Sequence, residues 1–211
     1  AASDVYKRQQ YKGIVDEHNA VRNAAGLFDV CHMGELEMTG PYAAQVVNYL
    51  VTNDVSRLGV GQALYTCCCN AKGTILDDLI IYRAADERFL IVCNASNRDK
   101  IVGVFKAAAE NHCEFKDLSD ETALIALQGP KAFEVLALCG KDAAALSELK
   151  AFHFRDAIVA NVKCTVARTG YTGEDGVEIF CAWNDALALW NTLIELGAVS
   201  YTHLRAHETV L

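Results

Sequence analysis

Apolar residues recur along this chain at two spacings, one typical of helices and one typical of strands. Ile14, Val15 and Val21 follow helical spacing before Gly26, which predicts a helix over residues 11–25. Further helices are predicted over 42–51, from 94–97 to about 111, over 131–139 and from 184 to about 197. Strand-like runs lie at 27–39, 62–69, 74–82, 88–93, 124–128 and 177–181. Hairpins followed by single helices predict an α+β fold of mainly antiparallel sheets with helices packed on one face.

Two pairs of landmarks indicate an internal repeat. Pro41 and Pro130 each follow a strand and a glycine and precede a helix, and they lie 89 residues apart. Cys93 and Cys181 each end an apolar strand that leads to an Asn and a helix, and they lie 88 residues apart. Chance agreement between short signatures is the alternative to a duplicated α+β unit. The pseudo-repeats are expected at roughly 38–111 and 125–197.

Composition narrows the class of protein. The 211 residues are 52% hydrophobic, which excludes a disordered chain. The formal net charge of −8 at pH 7 argues against a general binder of nucleic-acid backbones, because such a surface repels phosphate. No apolar run approaches the roughly 18 residues that a membrane-spanning helix needs. We therefore expect neither nucleic acid nor membrane among the partners.

Nine cysteines are spread along the chain, and none has the C-x-x-C spacing of a zinc ribbon or a thioredoxin motif. Cys67, Cys68 and Cys69 are consecutive in a predicted strand, so their side chains alternate between faces and cannot converge on one metal. His203 and His207 have i, i+4 spacing but lack the Glu of the metalloprotease pattern. We expect no metal site, and we interpret the cysteines as small buried residues in a reducing compartment.

Asp77 and Asp78 are the first candidates for chemistry. They lie in the apolar run TILDDLIIY, just after a predicted hairpin turn at 70–73. Adjacent strand residues point to opposite faces, so at least one carboxylate is expected to enter a low-dielectric setting and to need a partner or a ligand. Asp78 shares its face with Ile80 and Tyr82. The alternative is that both carboxylates are solvated next to the turn, and the pattern alone favours neither.

Glycines recur every third residue in the segment RTGYTGEDGVE at 168–178. The segment lies between two predicted strands and not before a helix, so a dinucleotide-binding fingerprint is improbable. It is either a glycine-rich hairpin or a loop that presents Tyr171 beside Glu178 to a ligand.

Two further positions leave alternatives open. The segment 28–35, FDVCHMGE, holds Asp, Cys, His and Glu at a helix-to-strand junction. A Cys31–His32 nucleophile pair is disfavoured, because sequence neighbours in a strand rarely face each other. Asn94 ends a strand and opens a helix, so a helix cap and a ligand contact are equally plausible roles.

Several ordered motifs make the stretch 11–198 resemble the aminomethyltransferase, or T-protein, family of the glycine cleavage system. They are VRNAAGLFDVCHMGE at 21–35, TND at 52–54, ALYTCCCN at 63–70, KGTILDDLIIY at 72–82, IALQGPKA at 125–132 and RTGYTGEDGVE at 168–178. Several motifs in order and at plausible spacing make this a specific match. The resemblance implies a duplicated folate-binding α+β domain, here incomplete, with residues 1–10 and 199–211 as suspect non-native tails.

The resemblance also implies a reaction and the residues that carry it. The family transfers a one-carbon unit to tetrahydrofolate from an aminomethyl group on the lipoyl arm of the H-protein, giving 5,10-methylenetetrahydrofolate and ammonia. Asp78, the second Asp of KGTILDDL, matches the catalytic carboxylate beside the pterin. It is expected to position the folate nitrogens and to favour iminium formation through electrostatics and proton handling. The positions that match the lining of the folate pocket are Tyr65, Tyr82, Asn94, Tyr171 and Glu178.

The sequence departs from the family pattern in three ways. Cys31 stands where Ser is usual and Thr74 where a second Gly is common, and both are small enough that we expect little consequence. The family's Gly-Ala-Arg-Asp motif and C-terminal β-barrel domain do not follow Ala198. Since that motif carries a folate-binding Arg, we expect the isolated chain to bind folate weakly and to be a poor enzyme.

Two related functions stay open, beside the alternative of an inert fragment that folds poorly. One is the folate module of a dimethylglycine or sarcosine oxidoreductase, although the chain has no flavin fingerprint. The other is a non-enzymatic folate-binding relative that supports iron–sulfur cluster assembly, whose K-G-C-Y-x-G-Q-E signature is absent. A glycine-cleavage enzyme is expected in the cytoplasm, or in the mitochondrial matrix if the source is eukaryotic.

Overall fold

The protein is described by a computed structural model that covers residues 13–200 and 205–206. The chain forms two compact units. Of the described residues, unit 1 comprises 13–31, Ala123–Ala151, 155–200 and 205–206, and unit 2 comprises His32–Thr122 and Phe152–Phe154. Among the described residues, no helix is long and apolar enough to cross a membrane.

The helices and strands are numbered in chain order. The first nine are α1 (Ile14–Asn23), β1 (Gly26–Asp29), β2 (Gly34–Thr39), α2 (Ala43–Leu50), β3 (Ala63–Cys69), β4 (Ile75–Ala85), β5 (Arg88–Cys93), α3 (Arg98–Ala109) and β6 (Glu114–Asp117). The remainder are β7 (Thr122–Gln128), α4 (Ala132–Leu138), α5 (Lys141–Ala144), β8 (Phe154–Val159), β9 (Val162–Ala167), β10 (Gly176–Ala182), α6 (Ala186–Ser200) and β11 (Arg205–Ala206).

The structure corrects the extent of several predicted elements, and part of the prediction lies outside the described residues. The predicted strand over 27–39 is interrupted, so that it forms β1 and β2. The last helix does not stop near Ala198 but continues to Ser200, because one internal glycine costs a helix only about 1 kcal/mol. The suspect tail at 1–10, and His203 and His207 in the second tail, lie outside the described residues.

The unit 2 sheet has the strand order β3-β4-β5-β2-β6, and its neighbouring strands are all antiparallel. One face packs against α2 and α3, because alternate residues such as Leu79 and Ile81 join Ile101 and Phe105 in one hydrophobic cluster. We call this the helix-covered face. The predicted α+β class with antiparallel sheets and helices is confirmed.

The opposite face of this sheet, which we call the second face, carries the polar candidates. Glu35 is opposite Val92, Val92 is opposite Ile80, and Ile80 is opposite Tyr65, so these residues form one row across four strands. Asp78 lies two residues from Ile80 on β4 and therefore shares this face.

The turn between β3 and β4 confirms the predicted hairpin. The Asn70 side chain accepts hydrogen bonds from the backbone nitrogens of Lys72 (2.9 Å) and Thr74 (3.1 Å). Gly73 has a φ of 78°, a conformation that favours glycine. The turn fixes the register that brings β4 alongside β3.

The unit 1 sheet has the strand order β11-β1-β7-β10-β9-β8. Strands β1 and β7 are antiparallel, as are β9 and β10, whereas β1 and β11 are parallel. Leu27, Leu127, Val135, Ile179 and Leu193 belong to its hydrophobic core, which joins the sheet to α4 and α6. Unit 1 thus has its own core beside a mixed sheet.

The order of elements supports the predicted duplication, which stays a prediction. In unit 2, β2 leads through Gly40 (φ 128°) into α2, and in unit 1, β7 leads through Gly129 (φ 126°) into α4. Strands β5 and β10 each continue through a short 3-10 turn into α3 and α6. Both predicted landmarks therefore have the same local structure in the two units.

Gly129 offers a test of this junction. A Cβ at this position would lie 2.5 Å from the Ala24 carbonyl oxygen and 2.7 Å from that of Val21. We expect Gly129→Ala to lower the free energy of unfolding by about 2–5 kcal/mol, through positive-φ strain and overpacking against backbone. Gly140→Ala is the matched control, because Gly140 has a φ of 119° and no atom within 4 Å of the added carbon. Urea unfolding should show the smaller loss for the control, and equal losses would contradict the steric argument.

Candidate functional site

Asp77 and Asp78 point to opposite faces of the unit 2 sheet. Asp77 is 3% exposed and lies on the helix-covered face, whereas Asp78 is half-buried on the second face. The expectation that one carboxylate enters a low-dielectric setting is confirmed for Asp77. The alternative that both are solvated is wrong.

Asp78 is held by two side chains that donate hydrogen bonds to it. The Tyr65 hydroxyl donates to Oδ2 over 3.0 Å, and the Asn94 amide nitrogen donates to Oδ1 over 2.8 Å. The antiparallel register of β3 and β4 places Tyr65 within reach, and the end of β5 supplies Asn94. The structure therefore brings three of the predicted site residues into contact.

The buried carboxylate of Asp77 is fully compensated by amide donors. Its oxygens accept from the Asn94 backbone nitrogen (2.9 Å), the Asn94 side-chain nitrogen (2.9 Å) and the Asn97 side-chain nitrogen (2.7 Å). The helix cap that the sequence left open as a role of Asn94 is therefore wrong. Neither Asn side chain caps the following helix, because both turn to Asp77 and a 3-10 turn precedes α3.

Tyr82, predicted in the folate pocket, is 2% exposed. Its ring packs edge-on against Phe154, with the ring centroids 5.3 Å apart. The Tyr82 ring is therefore a packing group on the second face. Tyr65, by contrast, is 47% exposed and presents its ring at the surface of the same face.

The glycine-rich segment connects the antiparallel strands β9 and β10, so it is a hairpin loop. Tyr171 is 85% exposed within it, and Glu178 on β10 accepts a hydrogen bond from the Thr169 hydroxyl. Both predicted residues belong to unit 1. The hairpin is therefore confirmed, whereas the presentation of Tyr171 beside Glu178 to a ligand stays a prediction.

Gln128, a residue that sequence reasoning missed, holds this loop. It is 1% exposed, and its Nε2 donates to the carbonyl oxygens of Thr169 (3.1 Å) and Val177 (3.2 Å). Its Oε1 accepts from the Thr172 hydroxyl over 2.9 Å. A Cβ on Gly170 would lie 2.0 Å from Oε1, which explains a glycine there. The sequence feature that could have indicated this role is a polar residue at the end of a largely apolar strand.

Arginine side chains fasten the flanks of the same loop. Arg22 donates to Glu174 (2.8 Å) and to the Thr172 carbonyl oxygen (2.7 Å). Arg168 donates to Asp175 through Nε (2.9 Å), and this hydrogen bond lowers the pKa of the Asp175 carboxyl. The loop is thus anchored on both sides of Tyr171.

The cysteines are packing residues wherever they are buried. All nine are free thiols, and five of them are buried. Burial raises the pKa of Cys68 to about 11 and that of Cys93 to about 12, so these thiols stay protonated. Cys31 is half-buried and its thiol donates to the Leu124 carbonyl oxygen over 3.3 Å. Within the described ranges, no three His, Cys, Asp or Glu side chains are grouped to hold a metal ion.

Comparison with known proteins identifies the family. The family model described as the GCVT N-terminal domain matches residues 2–209. The chain belongs to the aminomethyltransferase family of the glycine cleavage system. An aminomethyltransferase of Thermoanaerobacter sp. strain X514 is 46% identical over 194 residues, covering 89% of this chain and 51% of the relative. An aminomethyltransferase of Bacillus licheniformis is 47% identical over 189 residues.

Solved structures agree with this assignment. The glycine cleavage system aminomethyltransferase T from Bartonella henselae superposes with a TM-score of 0.79 at 35% identity, covering 88% of this chain and 50% of that one. A heterotetrameric sarcosine oxidase from Corynebacterium sp. U-96 has a TM-score of 0.64 at 18% identity, which shows a shared fold alone. This family member spans about half the length of the curated relatives that it matches.

Proposed function

We propose that the chain is the folate-binding part of a tetrahydrofolate-dependent aminomethyltransferase of glycine cleavage, with Asp78 as its catalytic carboxylate. The observation that carries the proposal is the position of Asp78. It is the carboxylate on the second face that both a phenol and an amide hold in place, within the motif expected to bear the catalytic residue. The family match and the relatives named aminomethyltransferase support the reaction.

The residues around Asp78 suit a flat ligand that carries N–H groups. The Asp78 carboxylate can accept such hydrogens, and the half-exposed Tyr65 ring offers an apolar surface next to it. Tetrahydrofolate, when bound, would supply the two nitrogens that take up the one-carbon unit. Tyr82, Asn94, Tyr171 and Glu178 stay proposals as lining residues. Tyr171 offers an exposed ring and Glu178 an acceptor group.

The proposed work of Asp78 is electrostatic orientation and proton handling. Tyr65 and Asn94 donate to different oxygens of the carboxylate, so its plane is fixed before a ligand arrives. A carboxylate fixed in this way stabilises positive charge that develops beside it, without reorganisation during the reaction. It can also hold a proton from an adjacent nitrogen for the leaving amine.

The donor of the aminomethyl group is proposed to be the lipoylated H-protein of the glycine cleavage system. Support comes from the relatives, among them the glycine cleavage system aminomethyltransferase T. A cytoplasmic location likewise stays a proposal.

Ligand binding tests the proposed function. A fusion protein in which this chain replaces the matching half of the Thermoanaerobacter relative should bind tetrahydrofolate with a dissociation constant of about 1 μM to 1 mM. The 211-residue chain alone should bind at least about tenfold more weakly, because fewer contacts are available to it. Isothermal titration calorimetry measures both values, with p-aminobenzoylglutamate, which lacks the pterin, as the control ligand. A fusion protein that is folded by circular dichroism and does not bind tetrahydrofolate would overturn the proposal.

A further inference from the structure

Asp77 is a buried carboxylate next to the proposed catalytic residue Asp78, and it has no role in the proposed function. It is 3% exposed on the helix-covered face, so the backbone of the sheet separates it from any ligand on the second face. Burying an ionised carboxylate is costly unless hydrogen bonds compensate it. An aliphatic residue would avoid that cost, but it would remove the acceptor of the three amide donors that contact Asp77.

One side chain connects Asp77 with Asp78. The Asn94 side-chain nitrogen carries two hydrogens, and it lies 2.9 Å from Asp77 Oδ1 and 2.8 Å from Asp78 Oδ1. Ionised carboxylates only accept hydrogen bonds, so both hydrogens are committed and the nitrogen end of the amide must face the pair. Asn94 can therefore not rotate about its terminal bond without losing both interactions.

Asp77 is in turn held from the region that precedes α3. Its Oδ2 accepts from the Asn94 backbone nitrogen over 2.9 Å, and its Oδ1 also accepts from the Asn97 side-chain nitrogen over 2.7 Å. Lys100 donates to the Asn97 side-chain oxygen over 2.7 Å, which fixes the orientation of that amide as well. Asp78 thus stands at the end of a hydrogen-bonded chain that begins on a helix.

We propose that Asp77 is a positioning residue that holds the Asn94 amide so that its nitrogen donates to Asp78 and fixes the catalytic carboxylate. For its effect on the reaction this inference rests on the proposed function, whereas the arrangement of Asn94 is a property of the chain alone. Without the acceptor at Asp77, the Asn94 side-chain nitrogen keeps acceptors on Asp78 alone, namely Oδ1 (2.8 Å) and the backbone carbonyl oxygen (3.3 Å). The Asn94 amide is then held less firmly and donates less steadily to Asp78 Oδ1, whereas Tyr65 still donates to Oδ2.

Nuclear magnetic resonance of the 211-residue chain tests the arrangement without any ligand. In Asp77→Ala, the side-chain amide hydrogens of Asn94 should exchange with water at least about tenfold faster than in the wild type, with an intermediate rate in Asp77→Asn. Backbone amides of the β4–β5 ladder should keep their protection in Asp77→Asn, which reports an intact sheet. Asp99→Ala, at an exposed position on α3, is the control. It should change neither the exchange rate of the Asn94 side-chain amide nor that of the backbone amides in the β4–β5 ladder. Unchanged Asn94 exchange in Asp77→Asn would overturn the proposal, even if Asp77→Ala does not fold.

A double-mutant cycle in the fusion protein tests whether Asp77 acts through Asn94. Asp77→Asn should lower kcat by about 10- to 100-fold with the KM for tetrahydrofolate changed less than about threefold, because small misplacements of a catalytic group cost this much. In an Asn94→Ala background the same substitution should lower kcat less than about twofold. Equal effects in both backgrounds would overturn the proposal, since a merely structural role is additive.

The two arms separate the inference from the proposed function. A wild-type fusion protein without transfer activity, together with fast Asn94 exchange in the Asp77 variants, would refute the proposed function and support the positioning of Asn94 by Asp77. Normal transfer activity with unchanged Asn94 exchange would support the function and refute the role of Asp77.

Discussion

The Asp78→Asn variant of the fusion protein is expected to lose at least about 100-fold in aminomethyl transfer while binding tetrahydrofolate within a few-fold of the wild type. Asn has nearly the shape of Asp but is neutral, so electrostatic stabilisation and proton handling disappear together. Its amide can also accept at only one end, whereas Tyr65 and Asn94 donate to both oxygens of Asp78. One donor is therefore left facing an NH₂ group.

The measurement combines steady-state transfer rates with calorimetry. Asp86→Asn is the matched control, because Asp86 is an exposed carboxylate just past the far end of β4. The control should keep wild-type rates. Full transfer activity in Asp78→Asn would remove Asp78 from the mechanism, and a large loss of binding with an unchanged kcat would make it a binding residue instead.

Glu35 is expected to make the chain less stable as the pH rises from about 4.5 to about 8. Burial raises the pKa of this carboxyl from 4.5 to about 8, with a smaller lowering effect from Arg98. Both oxygens lack a hydrogen-bond partner among the described residues, and the residue is 5% exposed. The folded chain therefore binds a proton that the unfolded chain releases in this range, so stability is present below pH 4.5 and is lost up to pH 8. The whole effect is about 3–5 kcal/mol.

Glu35→Gln isolates this contribution. The amide is close in shape to the protonated carboxyl and does not titrate, so the variant should match the wild type near pH 5 and exceed its free energy of unfolding by several kcal/mol near pH 9, about the size of the pKa effect. Urea unfolding of the 211-residue chain across this pH range gives both curves. Glu87→Gln removes a carboxylate at an exposed position and should leave the difference between pH 5 and pH 9 unchanged. Parallel curves for the wild type and Glu35→Gln would contradict the prediction.

Local pattern predicted what depends on neighbours in sequence. Alternation placed Asp77 and Asp78 on opposite faces, and the composition of residues 70–73 predicted the turn between β3 and β4. The family motif directed attention to Asp78. These predictions needed only the periodicity of a strand and the chemistry of a turn.

Contacts between distant residues could not be predicted in this way. Asn97 reaches Asp77 across 20 positions, and Gln128 reaches Thr169 across 41. No spacing rule connects such residues, because folding alone brings them together. The sequence pattern left a helix cap open at Asn94 for the same reason, since a local rule does not detect the competing acceptor on β4. The unpartnered carboxyl of Glu35 likewise depends on burial that alternation alone does not measure.

Unit 1 is built from three separate stretches of the chain, and this determines the order in which its strands can pair during synthesis. Unit 2 is continuous apart from three residues, so the pairings of β2 to β6 can form as soon as residue 117 is available. Strand β1 is made before all of them, yet its described partners are β7, with Gly26 opposite Gln128, and β11. Strand β1 cannot pair with β7 until about a hundred further residues have been made, so its apolar side chains stay exposed during that time. Such exposure favours misassembly. Strand β1 thus precedes β2 to β6 in the chain, yet it cannot pair with its described partners until β7 has been made.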